Sequence, residues 1–194
     1  MSLILITGGA RAGKSTFAEK LATSLAGDGG ACYVATAKPL DDDMAARIAA
    51  HRAARPAGWL TIEAPRGVTD QLAAHGGPAV PFGAVLIDCL TLLVSNILLA
   101  HPESAGVAEA WPDVEAEADG IIRFARTAAT TTLVVTNEVG LGVVPPTKLG
   151  RTYRDLLGKA NQRLAAAADS VYLLVAGIPV TIKPSAANRV GGTR

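Results

Sequence analysis

Hydrophobic residues in this 194-residue chain form short continuous runs, separated by longer stretches in which they recur every three to four positions. The short runs predict buried β-strands and the longer stretches predict amphipathic helices. The predicted strands are residues 3–7, 31–36, 60–63, 84–88, 132–137, 170–175 and 180–183. The predicted helices run from the loop after the first strand up to Gly27 and over residues 44–55, 68–75, 90–99, 114–127 and 149–168.

Strands that alternate with helices indicate an α/β fold, in which a mostly parallel sheet is covered by helices on both faces to give three layers. The turn at residues 177–179 predicts a C-terminal hairpin at the edge of the sheet. Residues 101–112 and 138–146 are expected to be loops. We expect a single domain over residues 1–184 and a disordered tail over residues 185–194.

A glycine-rich motif follows the first predicted strand and precedes the first predicted helix. Residues 8–15 read Gly-Gly-Ala-Arg-Ala-Gly-Lys-Ser, which is the G-x-x-x-x-G-K-S pattern of a P-loop. In such a loop the backbone N–H groups form a nest for phosphates, Lys14 reaches the β- and γ-phosphates, and the Ser15 hydroxyl binds Mg²⁺. The motif therefore predicts binding of a nucleoside triphosphate.

Further polar residues are expected near this loop, because ligands of parallel sheets collect at the carboxyl ends of the strands. Asp88 ends an apolar strand, which is where a Walker B carboxylate holds Mg²⁺ directly or through water. Glu63 ends another predicted strand, and Asn137-Glu138 lead from a third strand into a glycine-bearing loop. Glu138 is either a base that acts on a hydroxyl or part of an ordinary turn.

Three side chains are spaced by four in the predicted helix 44–55, namely Arg47, His51 and Arg55. This spacing places them on one helix face. Two guanidinium groups would attract phosphates and keep His51 neutral, as a nucleophile requires. The same pattern is also typical of a solvated basic face whose N-terminus is stabilised by the acidic residues 41–43. Spacing alone does not separate these two interpretations.

The composition narrows the choice of function. The net charge is +1, with acidic and basic residues interspersed, so neither a nucleic-acid surface nor an anionic-membrane surface is predicted. No apolar run is long enough for a membrane helix or a signal peptide, and a cytoplasmic protein is expected. Cys32 and Cys89 lie in apolar, strand-like runs and are interpreted as buried structural thiols.

Taken in order along residues 4–183, these motifs resemble the bifunctional adenosylcobinamide kinase / adenosylcobinamide-phosphate guanylyltransferase family of cobalamin biosynthesis. The resemblance depends on a linked set of segments rather than on the P-loop alone. These are residues 7–15, 33–36, 42–48 with His51, 55–56, Trp59, Glu63, 88–91, 136–145, 153–155 and 161–162. Ala12 departs from the family pattern, which usually has Ser at this position. We expect the difference to have little effect, because this position of the loop acts chiefly through its backbone.

The resemblance implies a P-loop NTPase fold and two reactions. In this family the aminopropanol hydroxyl of adenosylcobinamide is phosphorylated by ATP or GTP. The histidine matching His51 then attacks the α-phosphate of GTP, carries GMP as a phosphoramidate and passes it to adenosylcobinamide phosphate. The product is adenosylcobinamide-GDP, and a homotrimer is the implied assembly.

The resemblance also implies a set of site residues. His51 is the implied nucleophile, and it joins Lys14 of the P-loop as a catalytic residue; Ser15 and Asp88 remain the Mg²⁺ ligands that the P-loop and Walker B patterns predict. The implied nucleotide-binding positions are Gly9, Ala10, Arg11, Ala12, Gly13, Lys14, Ser15, Thr16, Ala35, Thr36, Ala37, Arg52, Ala53, Ala54, Arg55, Glu63 and Asp88.

Other functions compatible with a P-loop are weighed against this one. The first alternative is a kinase of another small hydroxylated metabolite, without the nucleotidyltransferase step. A signalling GTPase is disfavoured because the N/T-K-x-D guanine motif is missing. A nucleotide-gated module that binds a partner or DNA is the third reading, and the near-neutral charge argues against its DNA-binding form.

Overall fold

The structure, a computed structural model, describes residues 2–38, 46, 49, 52–53, 58–79 and 81–185. Within them, the strands are β1 (Leu3–Gly8), β2 (Ala31–Ala35), β3 (Leu60–Glu63), β4 (Ala84–Asp88), β5 (Thr131–Val135), β6 (Ser170–Val175) and β7 (Ile178–Lys183). The helices are α1 (Lys14–Ala26), α2 (Val68–Ala74), α3 (Leu90–Leu98), α4 (Val107–Thr127) and α5 (Lys148–Ala167), with short 3-10 turns at Gly27–Gly29 and Gly77–Ala79.

The strands form one sheet in the order β3-β2-β4-β5-β1-β6-β7. All neighbouring pairs are parallel except β6 and β7, which are antiparallel. The predicted α/β class, with a mostly parallel sheet and a C-terminal edge hairpin, is confirmed. In this order β5 lies between β1, which leads into the P-loop, and β4, which ends at Asp88. The carboxyl ends of β1, β5 and β4 are therefore neighbours.

The two faces of the sheet are packed with different side chains, because alternate strand residues point to opposite sides. On one face, Ile6, Leu86 and Leu133 pack against the alanines of α1. On the other face, the strand residues pack against larger apolar residues of α2, α3, α4 and α5. The small side chains of α1 let this helix, which begins at Lys14, lie close to the sheet.

Helix α4 begins earlier than the sequence predicted, at Val107 rather than at residue 114, so the expected loop 101–112 is shorter. Pro112 lies inside this helix and cannot donate a backbone hydrogen bond. The helix start is nevertheless stabilised, because Glu109 Oε2 accepts the Gly106 N–H at 2.9 Å. The Trp111 ring also packs under Lys159 Nζ, 3.9 Å from its centroid, which attaches this first part of α4 to α5.

The C-terminal hairpin also differs in detail from the prediction. The turn consists of Ala176 and Gly177 rather than residues 177–179, and β7 begins at Ile178. Both turn residues have positive φ, at 50° and 83°, which is the geometry of a two-residue type I′ turn. Pro179 is accommodated within β7 because this strand lies at the sheet edge.

Most other element ends match the prediction within one or two residues, and several predictions concern residues that the structure does not describe. Thus β5 spans 131–135 rather than 132–137, and β2 ends at Ala35 rather than Thr36. Arg47, His51, Ala54 and Arg55, most of the predicted helix 44–55 and residues 186–194 of the predicted tail lie outside the described residues. Within the described part of the chain, no helix is long and apolar enough to cross a membrane.

Candidate functional site

The P-loop joins β1 to α1 through backbone conformations that favour glycine. Gly8 has φ 148° and Gly13 has φ 89°. A Cβ on Gly8 would lie 2.6 Å from the Leu174 carbonyl oxygen, and a Cβ on Gly13 would lie 3.3 Å from Gly177 Cα. The loop is therefore packed against β6 and the turn of the hairpin, and side chains at these two positions would displace it.

Lys14 is the first residue of α1, and its side chain is buried in the loop. Its Nζ donates a hydrogen bond to the Gly9 carbonyl oxygen at 2.6 Å. Burial lowers the pKa of this ammonium from its ordinary value, and the negative charges of Cys89, when ionised, and Asp88 offset only part of that effect. A cation that is poorly hydrated and close to the helix N-terminus is suited to bind a polyanion such as a triphosphate.

Asp88 is held at the carboxyl end of β4 by a tyrosine from the neighbouring strand. The Tyr33 hydroxyl donates to Asp88 Oδ2 at 2.8 Å, and the Tyr33 ring is buried on the α1 side of the sheet. Strands β2 and β4 are parallel, and Ala35 of β2 pairs with Asp88 of β4. The bond from Tyr33 therefore links two neighbouring strands. It fixes one carboxylate oxygen, so the direction of the other is determined as well.

A polar network secures the backbone beside Asp88. The Thr36 hydroxyl accepts the Cys89 N–H and donates to the Cys89 carbonyl oxygen, each at 2.7 Å. Asn96, buried on α3, donates from Nδ2 to the carbonyl oxygens of Thr36 at 2.8 Å and Pro65 at 3.0 Å. These bonds join the ends of β2, β3 and β4, which makes this part of the rim a single hydrogen-bonded unit.

Cys89 differs in position from the sequence interpretation, which placed it in a strand-like run. It follows β4 as the residue before α3, is only partly buried, and lies at the rim close to Lys14. Burial of the sulfur raises the pKa of this thiol to about 11, so it is protonated at neutral pH. Cys32 is buried in β2 as expected, with a thiol pKa raised by burial to about 12.

The segment after β5 is attached to both sides of the site. The Glu138 N–H donates to the Gly8 carbonyl oxygen at 3.1 Å, and the Asn137 N–H donates to the Thr91 hydroxyl at 2.8 Å. Asn161 of α5 donates to the Asn137 carbonyl oxygen at 3.0 Å. Glu138 is thus positioned beside the first residue of the P-loop, and its own carboxylate accepts the Gly140 N–H at 2.6 Å.

Arg52 also lies at this rim. Arg52 Nη1 lies 3.7 Å from Glu63 Oε1 at the end of β3. Both side chains are more than half exposed, so the pair adds little to stability. The pair does show where Arg52 lies. Glu63 pairs in register with Ala35, the last residue of β2, and Thr36 follows directly.

The oxygen ligands present at the rim suit Mg²⁺. Ser15 supplies a hydroxyl beside Lys14, and Asp88 supplies a carboxylate with one oxygen engaged by Tyr33. Among the described residues no group of three or more His, Cys, Asp and Glu side chains could hold a metal. Mg²⁺ commonly binds through one or two protein oxygens plus substrate phosphates and water, so this sparse set fits that ion.

A comparison with known families decides the affiliation of the chain. The family model described as cobinamide kinase / cobinamide phosphate guanyltransferase matches residues 4–182. The chain belongs to this family. The match spans the P-loop, Asp88, Glu138 and the edge hairpin, and it confirms the resemblance inferred from the motifs.

Members of the cobinamide kinase / guanyltransferase family that are similar to this chain align over almost their whole length. The bifunctional adenosylcobalamin biosynthesis protein CobU of Salmonella typhimurium is 43% identical over 187 residues, which is 93% of this chain and 99% of that protein. CobU of Escherichia coli is 40% identical over 187 residues, with the same coverage. The bifunctional protein CobP of Pseudomonas aeruginosa is 40% identical over 183 residues, 92% of this chain and 96% of that protein.

Two solved structures share the fold of this chain. The flagellar accessory protein FlaH of Methanocaldococcus jannaschii aligns with a TM-score of 0.50 and 15% identity, over 96% of this chain and 80% of that chain. An ATPase of a bacterial type III secretion system aligns with a TM-score of 0.55 and 12% identity, over 90% of this chain and 51% of that chain. At these identities the likeness shows the fold alone.

The structure adds site residues to which sequence reasoning gave no role. Tyr33 and Thr136 were assigned to strands and to family motifs without a role, yet Tyr33 orients Asp88, and the Thr136 hydroxyl donates to Asn161 Oδ1 at 2.7 Å. Asn96 is, in the sequence, a polar interruption of an apolar predicted helix. That signal was informative, because a buried amide in such a helix requires partners, and here both are rim carbonyl groups.

Proposed function

We propose that this chain carries out both reactions of its family at one nucleotide site, with His51 as the covalent carrier of GMP. In the first, adenosylcobinamide is phosphorylated by ATP or GTP. In the second, GMP is transferred from GTP to adenosylcobinamide phosphate. The observation that carries the proposal is the joint position of Lys14, Asp88 and Glu138 at the carboxyl ends of neighbouring strands, with Arg52, next to His51, at the same rim.

For the kinase step, the side chains at the centre of the rim bind and orient the reactants. The backbone of residues 9–16 and the Lys14 ammonium hold the β- and γ-phosphates. The aminopropanol hydroxyl oxygen attacks the γ-phosphorus, the bond to the β-bridging oxygen breaks, and ADP or GDP leaves. Glu138 orients this hydroxyl and accepts its proton, which its place beside Gly8 supports.

For the transfer step, a neutral His51 imidazole attacks the α-phosphorus of GTP. An N–P bond forms, the P–O bond to the β-phosphate breaks and pyrophosphate leaves, while the imidazole releases its proton. A phosphate oxygen of adenosylcobinamide phosphate then attacks the same phosphorus. The N–P bond breaks, His51 takes back a proton, and adenosylcobinamide-GDP is released.

The remaining positions complete the nucleotide site. Ser15 and Asp88 would hold Mg²⁺, which neutralises phosphate charge when it is bound. Ala35 to Ala37, Arg52 to Arg55 and Glu63 would contact the rest of the nucleotide. We further propose that the enzyme acts in the cytoplasm as a homotrimer, as the motif resemblance implied.

The decisive test is labelling by GTP carrying a labelled α-phosphate. The wild-type protein is expected to retain an acid-labile, base-stable label, and His51→Ala is expected to lose it, because only a nitrogen nucleophile gives a phosphoramidate. The matched control is His75→Ala. His75 is exposed and directly follows α2. The turn after it is bonded to Ala129 through the Pro78 carbonyl oxygen, near the amino end of β5 and therefore away from the rim.

Two outcomes would count against the proposal. If His51→Ala is labelled as strongly as the wild type, His51 is not the nucleophile. If neither the wild type nor any variant is labelled, and γ-phosphate passes to a non-corrinoid alcohol, the chain is a kinase of another hydroxylated metabolite. His51→Ala should retain phosphorylation of adenosylcobinamide, because that step uses no covalent intermediate.

A further inference from the structure

The loop between β5 and α5 exposes large apolar side chains to solvent at its tip. Leu141 is 89% exposed, Val143 is 94% exposed and Val144 is 59% exposed. Scattered exposed apolar residues are ordinary, but three within four consecutive residues form a patch. We call residues 141–144 the apolar tip.

The apolar tip is carried by a loop that is anchored at both ends. At its start, Val139 packs against the main core, and Glu138 bonds to Gly8. At its end, Arg151 Nη1 donates to the carbonyl oxygens of Pro145 at 3.1 Å and Pro146 at 2.7 Å. The exposed positions therefore belong to a loop with defined hydrogen bonds, and its apolar side chains are presented from a fixed base.

The apolar tip begins three residues after Glu138, whose backbone N–H bonds to the first residue of the P-loop. Leu141 is three residues beyond Glu138, so its Cα lies within about 11 Å of the residue that contacts the P-loop. An acceptor hydroxyl must come within roughly 3–3.5 Å of the γ-phosphorus to react. A large acceptor that reaches this position has to cover surface of the rim around it, and the apolar tip is part of that surface.

The loop is uncharged, and in this respect it suits the macrocycle of the acceptor rather than its phosphate. Residues 139–147 include no charged side chain. An uncharged, apolar segment is poorly suited to bind a phosphate, for which the P-loop backbone and Lys14 are available. It is suited to the flat face of a macrocycle whose peripheral substituents are neutral amides, because such a ligand offers a large apolar area and no anionic group.

We infer that the apolar tip is a binding surface for the corrin macrocycle of the acceptor, while the aminopropanol arm reaches the P-loop. This inference rests on the proposed function. A second copy of the chain is the competing occupant of an exposed apolar loop, and the experiment below is designed to separate the two.

The test is a double variant, Leu141→Ser with Val143→Ser. We expect its Kd for adenosylcobinamide, measured by equilibrium dialysis and corrin absorbance, to rise about tenfold or more, since two apolar contacts are lost. Labelling by GTP should be unchanged, because the nucleotide contacts remain. The conservative pair Leu141→Met with Val143→Ile should keep the wild-type Kd within about twofold.

The matched control is Leu25→Ser. Leu25 is also an exposed leucine, at 42%, but it lies in the last turn of α1, away from the P-loop. Its replacement should leave the Kd for adenosylcobinamide unchanged. Sedimentation velocity of all variants should give the same molecular mass as the wild type.

The outcomes distinguish this inference from the proposed function. An unchanged Kd in the double serine variant would overturn the inference, with the proposed function intact if the wild type still binds adenosylcobinamide and forms the His51 label. A lower sedimentation mass in the double variant would also overturn it, in favour of a contact between copies. A wild type that binds no adenosylcobinamide would refute the proposed function itself.

Discussion

Lys14 carries a positive charge that is buried in the folded protein. This buried charge disfavours folding, but it favours the binding of phosphates. Burial lowers the pKa of its ammonium, which means that the folded state disfavours the charged form. The unfolded state therefore binds more protons between the lowered pKa and 10.5, so this group makes the free energy of unfolding rise with pH in that window. Below the window its destabilising effect is fully present.

This conflict gives a prediction for Lys14→Met. At neutral pH its free energy of unfolding, from urea titration, should be equal to or above that of the wild type, because the buried charge is removed and the exposed Gly9 carbonyl can bond to water. Both activities should fall about 100-fold or more, since phosphate charge is no longer neutralised. A variant that unfolds more readily but keeps its activity would contradict this account.

Tyr33 and Asp88 show why the orientation of one carboxylate depends on a distant part of the chain. The residues are 55 positions apart, and they meet because β2 and β4 pair in register. Nothing in the sequence around Asp88 indicates this partner. The position of Asp88 at a strand end was predictable from local pattern, whereas its hydrogen bond was not.

Helix α3 is the element that ties the rim together, through Asn96. Its apolar side chains pack against the sheet, and its single amide bonds to the carbonyl oxygens of Thr36 and Pro65. The hydrophobic pattern predicted this helix to within a residue, as 90–99 against Leu90–Leu98. The pattern could not reveal that the helix also supports the loops after β2 and β3.

Replacing this amide should destabilise the fold and disturb the site. Asn96→Leu leaves two rim carbonyl groups without their donor, so we expect the free energy of unfolding to fall by about 2–4 kcal/mol. The KM for GTP should rise, because Thr36 lies in the predicted nucleotide site. Ser95→Ala, one position earlier, is the control and should change stability by less than about 0.5–1 kcal/mol. Equal effects of the two variants would argue against the bridging role.

For the whole molecule, the arrangement of strands concentrates the predicted chemistry in one place. The chain has one P-loop motif, and its strand lies next to β5 and one strand away from β4. Both proposed reactions begin with a nucleoside triphosphate. They must therefore compete for the same phosphate-binding loop.

This predicts competition between the two nucleotides. A non-hydrolysable ATP analogue should slow labelling of His51 by GTP, and a higher GTP concentration should restore the rate, because both ligands occupy one loop. A maximal labelling rate that falls with the analogue and is not restored by GTP would indicate a second nucleotide site. Initial rates of label incorporation at several GTP concentrations distinguish the two patterns.

The sequence by itself determined the strands, most helices, the P-loop and the family, because each depends on neighbouring residues or on motifs in a fixed order. It misplaced the start of α4, because residues 101–112 were expected to be a loop, whereas Glu109 and packing against α5 stabilise the earlier start. It also did not indicate which side chains surround Asp88.

Only the tertiary structure decided which distant residues meet. The strand order brings Glu138 beside Gly8 and Tyr33 beside Asp88, so the loop that carries the apolar tip starts at the P-loop. The physical reason is that hydrophobic periodicity is a local property, while hydrogen bonds across a parallel sheet depend on which strands become neighbours.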